Sequence, residues 1–279
     1  MAIIPDFVIE PIVRNALAED IGLAGDITST AVIPSDHRSS VTAVARAGGV
    51  VAGLDVAALC FKLLDKETRV QYYKKDGDFI EKGEKIATIT GMSTILLGGE
   101  RTALNFLSHL SGIATITREH VEAIQDYRAR VVCTRKTTPG LRLLEKYAVR
   151  MGGGDSHRYG LNDGILIKDN HIAMVGSVKD ALKRAKSQAG HMVKISVEVD
   201  TLAQLEEALT IGADGFLLDN MPPTMLREAV DMVAGRGFTE ASGKVNLENI
   251  VSIAASGVDY ISVGGITHSA CILDIGFDF

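Results

Sequence analysis

Short apolar segments alternate with segments of helical spacing over the second half of the chain, and this alternation constrains the fold more than any other feature. Each apolar segment ends in polar residues or glycines. Strict alternation of this kind is typical of a parallel sheet built from successive βα units. The segments are VVCTRK (131–136), GILIKDN (164–170), KISVEVD (194–200), GFLLDN (215–220), TEASG (239–243) and YISVGG (260–265).

The alternation favours a closed or nearly closed α/β barrel. An open doubly wound sheet is the alternative, but no GxGxxG sequence follows the first apolar segment, as that fold often requires. The first intervening helix is expected to begin at Pro139, because proline is favoured at the first helical position. Helices are predicted at 139–150, 177–188, 201–211, 223–234 and 246–256.

The first half of the chain has a different pattern. Residues 40–53 and 69–90 have the composition of strands, and turn signals at Asp76-Gly77 and Lys82-Gly83 interrupt the second stretch. A helix is expected between the two stretches, at 54–65. This half is therefore predicted to be a small, mainly antiparallel α+β domain. Further helices are predicted at 9–19, 97–109 and 112–127.

Composition excludes several classes of protein. The formal net charge of −6 over 279 residues argues against a general nucleic-acid or membrane-surface binder. Three widely spaced cysteines, Cys60, Cys133 and Cys271, suit neither a disulfide framework nor a structural zinc site. The amino terminus has no basic leader, and the apolar run at 49–61 contains an aspartate. We expect a soluble cytoplasmic protein that binds no nucleic acid and no membrane.

The polar strand ends are expected to form one site. If the barrel closes, the carboxyl ends of its strands meet at one rim, where barrel enzymes hold their active sites. Many of the side chains there are cationic, which indicates an anionic ligand. The rim residues are Arg135, Lys136, Lys168, Glu198, Asp219, Ser242, Gly243, Gly264 and Gly265.

The last two strands end in glycine-containing loops, ASGK (241–244) and VGGITHSA (263–270). Loops at these places in a barrel often bind phosphate through backbone N–H groups. Glu198 and Asp219 offer the oxygen ligands that Mg²⁺ uses together with substrate phosphates. The pattern predicts a magnesium-bound phosphate ester and a second anionic substrate. No nucleophile stands out, because Ser156 and His157 are adjacent and point to opposite faces of an extended segment.

The chain resembles a known family over nearly its whole length. CTRKTTPGLRLLEKYAV, GGGDSHRYGLNDGILIKDNHI, VEVD, LLDN, EASG and VGG resemble nicotinate-nucleotide pyrophosphorylase, also called quinolinate phosphoribosyltransferase. In the first half, EDIGLAGDITS and GGERTALNFLSHLSGIAT are similar to the same family. Two details depart from its common pattern: Asp155 and Ser156 precede the histidine, and Lys244 stands where glycine is frequent.

The resemblance implies a reaction and a set of site residues. Quinolinate and phosphoribosyl pyrophosphate (PRPP) would give nicotinate mononucleotide, pyrophosphate and CO₂ in NAD synthesis, with Mg²⁺ as cofactor. Lys136, Lys168, Glu198 and Asp219 would be catalytic, and Glu198 and Asp219 would also hold the metal and the ribose. The quinolinate and pyrophosphate site would comprise Arg101, Thr134, Arg135, Lys136, His157, Arg158 and Lys168, and the 5′-phosphate site would comprise Ser242, Gly243, Lys244, Val263, Gly264 and Gly265.

The resemblance also implies an architecture. The expected fold is α/β, with an incomplete TIM-like α/β barrel and an N-terminal α/β sandwich (α+β) domain. The sandwich would occupy residues 1–111 and the barrel 112–267, with a tail at 268–279 that returns to the sandwich. The family assembles at least as a homodimer, and Arg101 would reach into the partner's barrel.

Three other functions are open at this point. A molybdenum-transport-associated paralogue of the family is one, although the intact TRKTTPG and IKDNH sequences argue against it. A Schiff-base aldolase with Lys168 as the amine is the second. A non-catalytic sensor of phosphate ligands is the third, because fold alone does not define function.

Overall fold

The computed structural model describes residues 4–279, which divide into two compact units. The first unit comprises the chain up to Arg118 together with Thr138–Gly153 and Ala270–Phe279. The second unit comprises Glu119–Thr137 and Gly154–Ser269. The domain boundaries expected at 111/112 and 267/268 remain predictions.

The first unit contains three helices before its long helix. In α1 (Asp6–Ile21), Ile9, Val13 and Leu17 are buried at a spacing of four residues, so one stripe of the helix is covered. Asp26 caps α2 (Ile27–Val32), because its side chain accepts a hydrogen bond from the Ser29 N–H at 3.0 Å. The third helix, α3 (Leu54–Leu64), is apolar on most sides and largely buried.

A four-stranded antiparallel sheet forms the centre of the first unit. Its strand order is β12-β1-β5-β3, and a separate pair joins β2 to β4. The carboxyl-terminal strand pairs with β1 from Thr42↔Asp278 to Ala45↔Ile275. The mainly antiparallel α+β character predicted for this half is therefore confirmed. The strands are β1 (Arg38–Ala45), β2 (Gly49–Val50), β3 (Arg69–Tyr72), β4 (Phe79–Ile80), β5 (Lys85–Met92) and β12 (Ile275–Asp278).

The two helices predicted at 97–109 and 112–127 are one. A single helix, α4 (Ser93–Ala123), runs through both. The break predicted between them, after residue 109, is wrong. Within the helix, a Cβ added at Gly112 would collide with the backbone carbonyl of Cys271. Gly112 therefore permits close approach of the carboxyl-terminal segment and does not end the helix.

Six parallel strands form the sheet of the second unit. They are ordered β6-β11-β10-β9-β8-β7, so that β6 and β7 are the edges and no pairing joins them. The sheet is an incomplete α/β barrel, as the resemblance implied. Asp155 adds a parallel bridge to Val132 on the edge strand. The strands are β6 (Arg130–Val132), β7 (Ile165–Ile167), β8 (Ile195–Val199), β9 (Gly215–Asp219), β10 (Phe238–Ser242) and β11 (Tyr260–Ser262).

Two helices begin well after their predicted starts. Gly140 has φ of 83°, which interrupts helical backbone, so α5 (Arg142–Met151) begins after it and not at Pro139. This helix belongs to the first unit. Asn246 accepts a hydrogen bond from the Asn249 N–H at 3.2 Å, and this local turn delays α10 (Ile250–Ala254). The other helices are α6 (Asp169–Val175), α7 (Val178–Gln188), α8 (Leu202–Ile211), α9 (Pro223–Val233) and α11 (Gly265–His268).

None of the helices within residues 4–279 is long and apolar enough to cross a membrane.

Candidate active site

The carboxyl ends of the parallel strands surround a cavity of about 420 Å³ in the second unit. Side chains alternate along a strand, so residues two apart face the same side of the sheet. The strand register places Asp219 beside Ser242 and Glu198 beside Leu217. The cavity is lined by Thr134, Arg135, Lys136, His157, Arg158, Leu166, Lys168, Glu198, Leu217, Asp219, Glu240, Ser242 and Ser262.

The structure thus brings most of the predicted site residues together. The glycine-containing loops follow directly: Gly243 and Lys244 come after β10, and Val263, Gly264 and Gly265 after β11. Arg101 differs from the rest, because it is an exposed residue of α4 in the first unit. It is not among the residues that line the cavity of the second unit.

Two arginines give the cavity an anion-binding character. The Nε atoms of Arg135 and Arg158 are buried and have no hydrogen-bond partner in the part of the chain that the structure describes. Burial lowers the pKa of Arg158, and the nearby positive charge of Arg135 lowers it further. Two like charges with unsatisfied donors form an unfavourable arrangement that an anionic ligand would relieve.

Backbone contacts hold the segment that contains Lys136. The Lys136 N–H donates to the Thr134 hydroxyl at 3.0 Å, and the Lys136 carbonyl accepts from the Thr267 hydroxyl at 2.7 Å. A Cβ built on Gly264 would lie 3.3 Å from Cδ of Lys136. The exposed lysine side chain therefore extends past the glycine loop. Thr134 positions the turn that carries this lysine.

Lys168 and Glu198 form an ion pair across neighbouring strand ends. Their Nζ and Oε2 atoms are 2.6 Å apart. The side chain of Glu198 is 10% exposed and that of Lys168 is 46% exposed. The Lys168 N–H also donates to Nδ1 of His171 at 2.9 Å, which fixes the junction between β7 and α6. The pair places a charged ammonium at the mouth of the cavity.

The rim also carries acidic residues. Asp219 accepts a hydrogen bond from the Asn220 side chain at 2.6 Å. Burial raises the pKa of the neighbouring Asp200, and the charges of Asp219 and Asp169 raise it further, so this edge carries negative charge. No cluster of three or more metal-ligating side chains occurs within residues 4–279. Glu198 and Asp219 offer carboxylate oxygens, the kind of ligand that Mg²⁺ commonly combines with phosphates and water.

The loop after β10 has left-handed backbone at two consecutive positions. Gly243 has φ of 104° and Lys244 has φ of 50°. A Cβ at Gly243 would lie 2.8 Å from Cγ of Asn220, so only glycine fits there. Around Gly265, by contrast, no atom lies within 4 Å of an added Cβ. The space that a side chain would occupy at this position is therefore open.

Sequence reasoning missed two polar residues of the cavity, Glu240 and Ser262. Glu240 is 4% exposed and Ser262 is 6% exposed. The Ser262 hydroxyl donates a hydrogen bond to Oε1 of Glu240, and the same oxygen lies 3.4 Å from Nε2 of His157. Side chains two residues apart along a strand face the same side, so Glu240 shares a face of β10 with Ser242. This alternation could have identified Glu240 from the sequence.

The Ser156 hydroxyl and the His157 ring each contact another residue. The Ser156 hydroxyl lies 3.4 Å from the Tyr159 hydroxyl. His157 instead accepts a hydrogen bond at Nδ1 from the Arg158 N–H at 2.8 Å.

An incomplete α/β barrel with a cationic rim and two carboxylates defines an enzyme that acts on polyanionic substrates. Models of the quinolinate phosphoribosyl transferase N-terminal and C-terminal domains match residues 26–111 and 113–278. The chain belongs to the quinolinate phosphoribosyltransferase family.

Individual relatives agree with this assignment. The chain is 46% identical over 270 residues to the probable nicotinate-nucleotide pyrophosphorylase [carboxylating] of Bacillus subtilis, covering 97% of this chain and 93% of the relative. It is 44% identical over 274 residues to the nicotinate-nucleotide pyrophosphorylase [carboxylating] of Mycobacterium leprae, covering 95% of each. The crystal structure of NadC from Streptococcus pyogenes superposes with a TM-score of 0.97 at 42% identity, covering 100% of this chain and 98% of that one.

Proposed function

We propose that the cavity at the rim of the six-stranded sheet is where this chain carries out the reaction of its family. The enzyme transfers the phosphoribosyl group of PRPP to quinolinate. The products are nicotinate mononucleotide, pyrophosphate and CO₂, in de novo NAD synthesis. The observation that carries the proposal is the pair of neighbouring guanidinium groups, Arg135 and Arg158, whose buried Nε atoms have no partner among the described residues.

The charges of the substrates match those of the cavity. Quinolinate carries two carboxylates, and arginine binds planar carboxylates through paired hydrogen bonds. PRPP carries a phosphate and a pyrophosphate. Arg135, Lys136, His157, Arg158 and Lys168 surround quinolinate and the leaving pyrophosphate in this proposal. Ser242–Lys244 and Val263–Gly265 hold the 5′-phosphate, chiefly through backbone N–H groups.

The reaction needs charge stabilisation and not a covalent intermediate. The bond between C1′ and the pyrophosphate oxygen breaks, and its electrons leave with pyrophosphate. Lys136 and Lys168 stabilise this developing negative charge. The lone pair of the pyridine nitrogen forms the new bond to C1′. The resulting pyridinium accepts the electrons of the adjacent C–CO₂⁻ bond as CO₂ departs, and a proton then takes the place of the carboxylate.

Glu198 and Asp219 supply the anionic side of the site. As the pyrophosphate leaves, the ribose gains oxocarbenium character, and nearby carboxylates favour that positive charge. In this proposal both residues bind the ribose hydroxyls and would hold Mg²⁺. When bound, Mg²⁺ neutralises charge on the pyrophosphate group. The ion pair between Lys168 and Glu198 keeps both side chains oriented at the rim.

A homodimer with shared active sites is part of the proposal. Arg101 is exposed on the first unit and does not line the cavity of the second. An isologous dimer would bring each Arg101 to the other subunit's rim. Mixing inactive Arg101→Ala with inactive Lys168→Ala tests this, because a mixed dimer with shared sites has one site with both residues intact. If activity does not return once subunit exchange has been demonstrated, Arg101 acts within its own subunit. A cytoplasmic location is proposed as well, supported by the few, widely spaced cysteines.

The geometry disfavours the aldolase alternative. A Schiff-base lysine is typically activated by an apolar pocket or by another cation. Lys168 is instead half-exposed and lies 2.6 Å from a carboxylate. Borohydride with a carbonyl substrate should therefore leave the enzyme unmodified.

The direct test of the proposed function is product formation. With PRPP and Mg²⁺, quinolinate should yield nicotinate mononucleotide by chromatography. Nicotinate in place of quinolinate should yield far less, because it lacks the second carboxylate. Equal or faster turnover of nicotinate would overturn the assignment of quinolinate as substrate. An Arg158→Met variant should raise the quinolinate KM more than the KM for PRPP.

A further inference from the structure

The second unit has a second cavity, of about 410 Å³, whose lining includes residues at the amino ends of the strands. We call it the lower cavity, and Arg130, Lys194, Phe238 and Tyr260 mark its position. The lower cavity and the cavity at the rim share the side chains of His157, Arg158, Leu166 and Glu240. These four side chains therefore stand between the two spaces.

The position of His157 has a physical consequence. A side chain in a packed core is held in one rotamer by its neighbours. His157 has open space on both the rim side and the lower side, since it lines both cavities. Packing alone therefore constrains the orientation of the His157 ring only weakly. Hydrogen bonds must supply much of the remaining constraint.

The contacts of the two ring nitrogens define one tautomer. Nδ1 of His157 accepts a hydrogen bond from the Arg158 N–H at 2.8 Å, so Nδ1 carries no proton. In the neutral ring the proton is then on Nε2. Nε2 lies 3.4 Å from Oε1 of Glu240, a long contact in which electrostatic attraction dominates. The negative oxygen of Glu240 thus faces the N–H end of the ring.

Glu240 is itself firmly held. It is 4% exposed and lies on a central strand of the sheet, between β9 and β11. The Ser262 hydroxyl from the neighbouring strand donates a hydrogen bond to its Oε1. A buried carboxylate is costly unless it has partners of this kind. The presence of this buried carboxylate inside the sheet, at the boundary between two cavities, indicates a role beyond packing.

We propose that Glu240 is a positioning residue for the phosphoribosyl transfer reaction. It fixes the ring orientation and the Nε2–H tautomer of His157, and through His157 it organises the quinolinate side of the site. Ser262 supports it by orienting the carboxylate. This inference rests on the proposed function for its kinetic consequence, whereas the link between Glu240 and His157 is independent of the substrate.

The first test is nitrogen NMR of the ¹⁵N-histidine-labelled full-length protein. The signals of His157 are assigned by comparison with His157→Asn. In the wild type, His157 should show the neutral Nε2–H pattern. In Glu240→Ala, tautomer exchange or a shift toward the Nδ1–H form is expected. An unchanged His157 pattern in Glu240→Ala would overturn the proposal, even if the enzyme lacked activity on quinolinate.

The second test is steady-state kinetics with quinolinate and PRPP. Glu240→Gln keeps the size of the side chain but removes its charge, and it should raise the quinolinate KM about tenfold or more with a much smaller change in the KM for PRPP. Glu240→Asp should recover part of the loss, and Ser262→Ala should give an intermediate effect. The matched control is Glu228→Gln on the exposed surface of α9, which should behave as wild type.

A merely structural role predicts a different outcome. If Glu240 only stabilised the sheet, Glu240→Gln would lower the melting temperature while both KM values stayed near wild type. Ser262→Ala leaves the Glu240 carboxylate in place and removes only its hydrogen-bond donor. This variant therefore still tests the proposal if the Glu240 variants fail to fold. Equal changes in both KM values for Glu240→Gln and Ser262→Ala would also overturn the proposal.

Discussion

Replacement of Lys168 by alanine separates the proposed catalytic role of this residue from its structural one. The ammonium of Lys168 lies 2.6 Å from the carboxylate of Glu198. Its removal takes a positive charge from the proposed pyrophosphate site and leaves the nearly buried Glu198 without its cationic partner. We therefore expect both activity and stability to fall, with activity falling much further.

The magnitudes follow from the exposure of the two side chains. Exposed ion pairs contribute about 0–1 kcal/mol, and removing one partner of a buried pair costs about 3–5 kcal/mol. Glu198 is 10% exposed but Lys168 is 46% exposed, so the pair is intermediate. Lys168→Ala should lower the free energy of unfolding by about 1–3 kcal/mol. Turnover should fall about 10²-fold or more if the ammonium stabilises charge in the transition state.

Denaturant unfolding and saturating-substrate kinetics measure the two effects. The double variant Lys168→Met with Glu198→Gln removes both charges, so it should be more stable than Lys168→Ala yet equally inactive. Lys183→Ala, at an exposed position of α7, is the matched control and should change neither quantity. Near-normal turnover of Lys168→Ala at saturating substrates would refute the catalytic role. A double variant as unstable as the single one would refute the argument from the ion pair.

Three further predictions concern the loops, the pH dependence and the cysteines. Gly264→Val should weaken PRPP binding much more than quinolinate binding in separate titrations, because its side chain would enter the space beside Lys136 and His268; equal weakening would indicate a folding defect. Burial alone would raise the pKa of Asp259, but hydrogen bonds from the Thr239 N–H and from Arg128 outweigh it and hold the pKa below its ordinary value. Its stabilisation is thus present above the unfolded pKa of about 4 and is lost as the pH falls through the lower folded pKa. Asp259→Asn should therefore be about 1–2 kcal/mol less stable than wild type at pH 7, and denaturant titrations should show this gap narrowing as the pH falls below about 4. Burial raises the pKa of the Cys60 thiol to about 12, so iodoacetamide at pH 8 should leave Cys60 unmodified in the native protein while exposed Cys271 reacts, as peptide mass analysis would show.

The parts of the fold that sequence predicted are those that depend on local periodicity. The alternation of apolar and helical segments gave the six strands of the second unit, since each strand is short, apolar and followed by a polar end. Helix ends were less predictable. The break predicted between 97–109 and 112–127 is absent, and Gly112 within the continuous α4 accommodates the backbone of Cys271, which is distant in sequence.

The site residues were likewise predictable only where their positions follow from the strand pattern. Residues at strand ends, such as Lys168 and Asp219, follow from the position of the strands alone. Glu240 was missed because it lies within a strand and was not read as part of the rim. The adjacency of Arg135 and Arg158 was also not derivable from spacing, because tertiary folding brings the two guanidinium groups together.

Release of CO₂ from quinolinate labelled in its 2-carboxylate tests the central claim most directly. In the proposed reaction, quinolinate is joined to the phosphoribosyl group before decarboxylation, because only the pyridinium formed by that bond accepts the electrons of the departing carboxylate. Labelled CO₂ should therefore appear in equal amount to pyrophosphate, and only when PRPP and Mg²⁺ are both present. CO₂ release without PRPP, or pyrophosphate release without CO₂, would contradict the account.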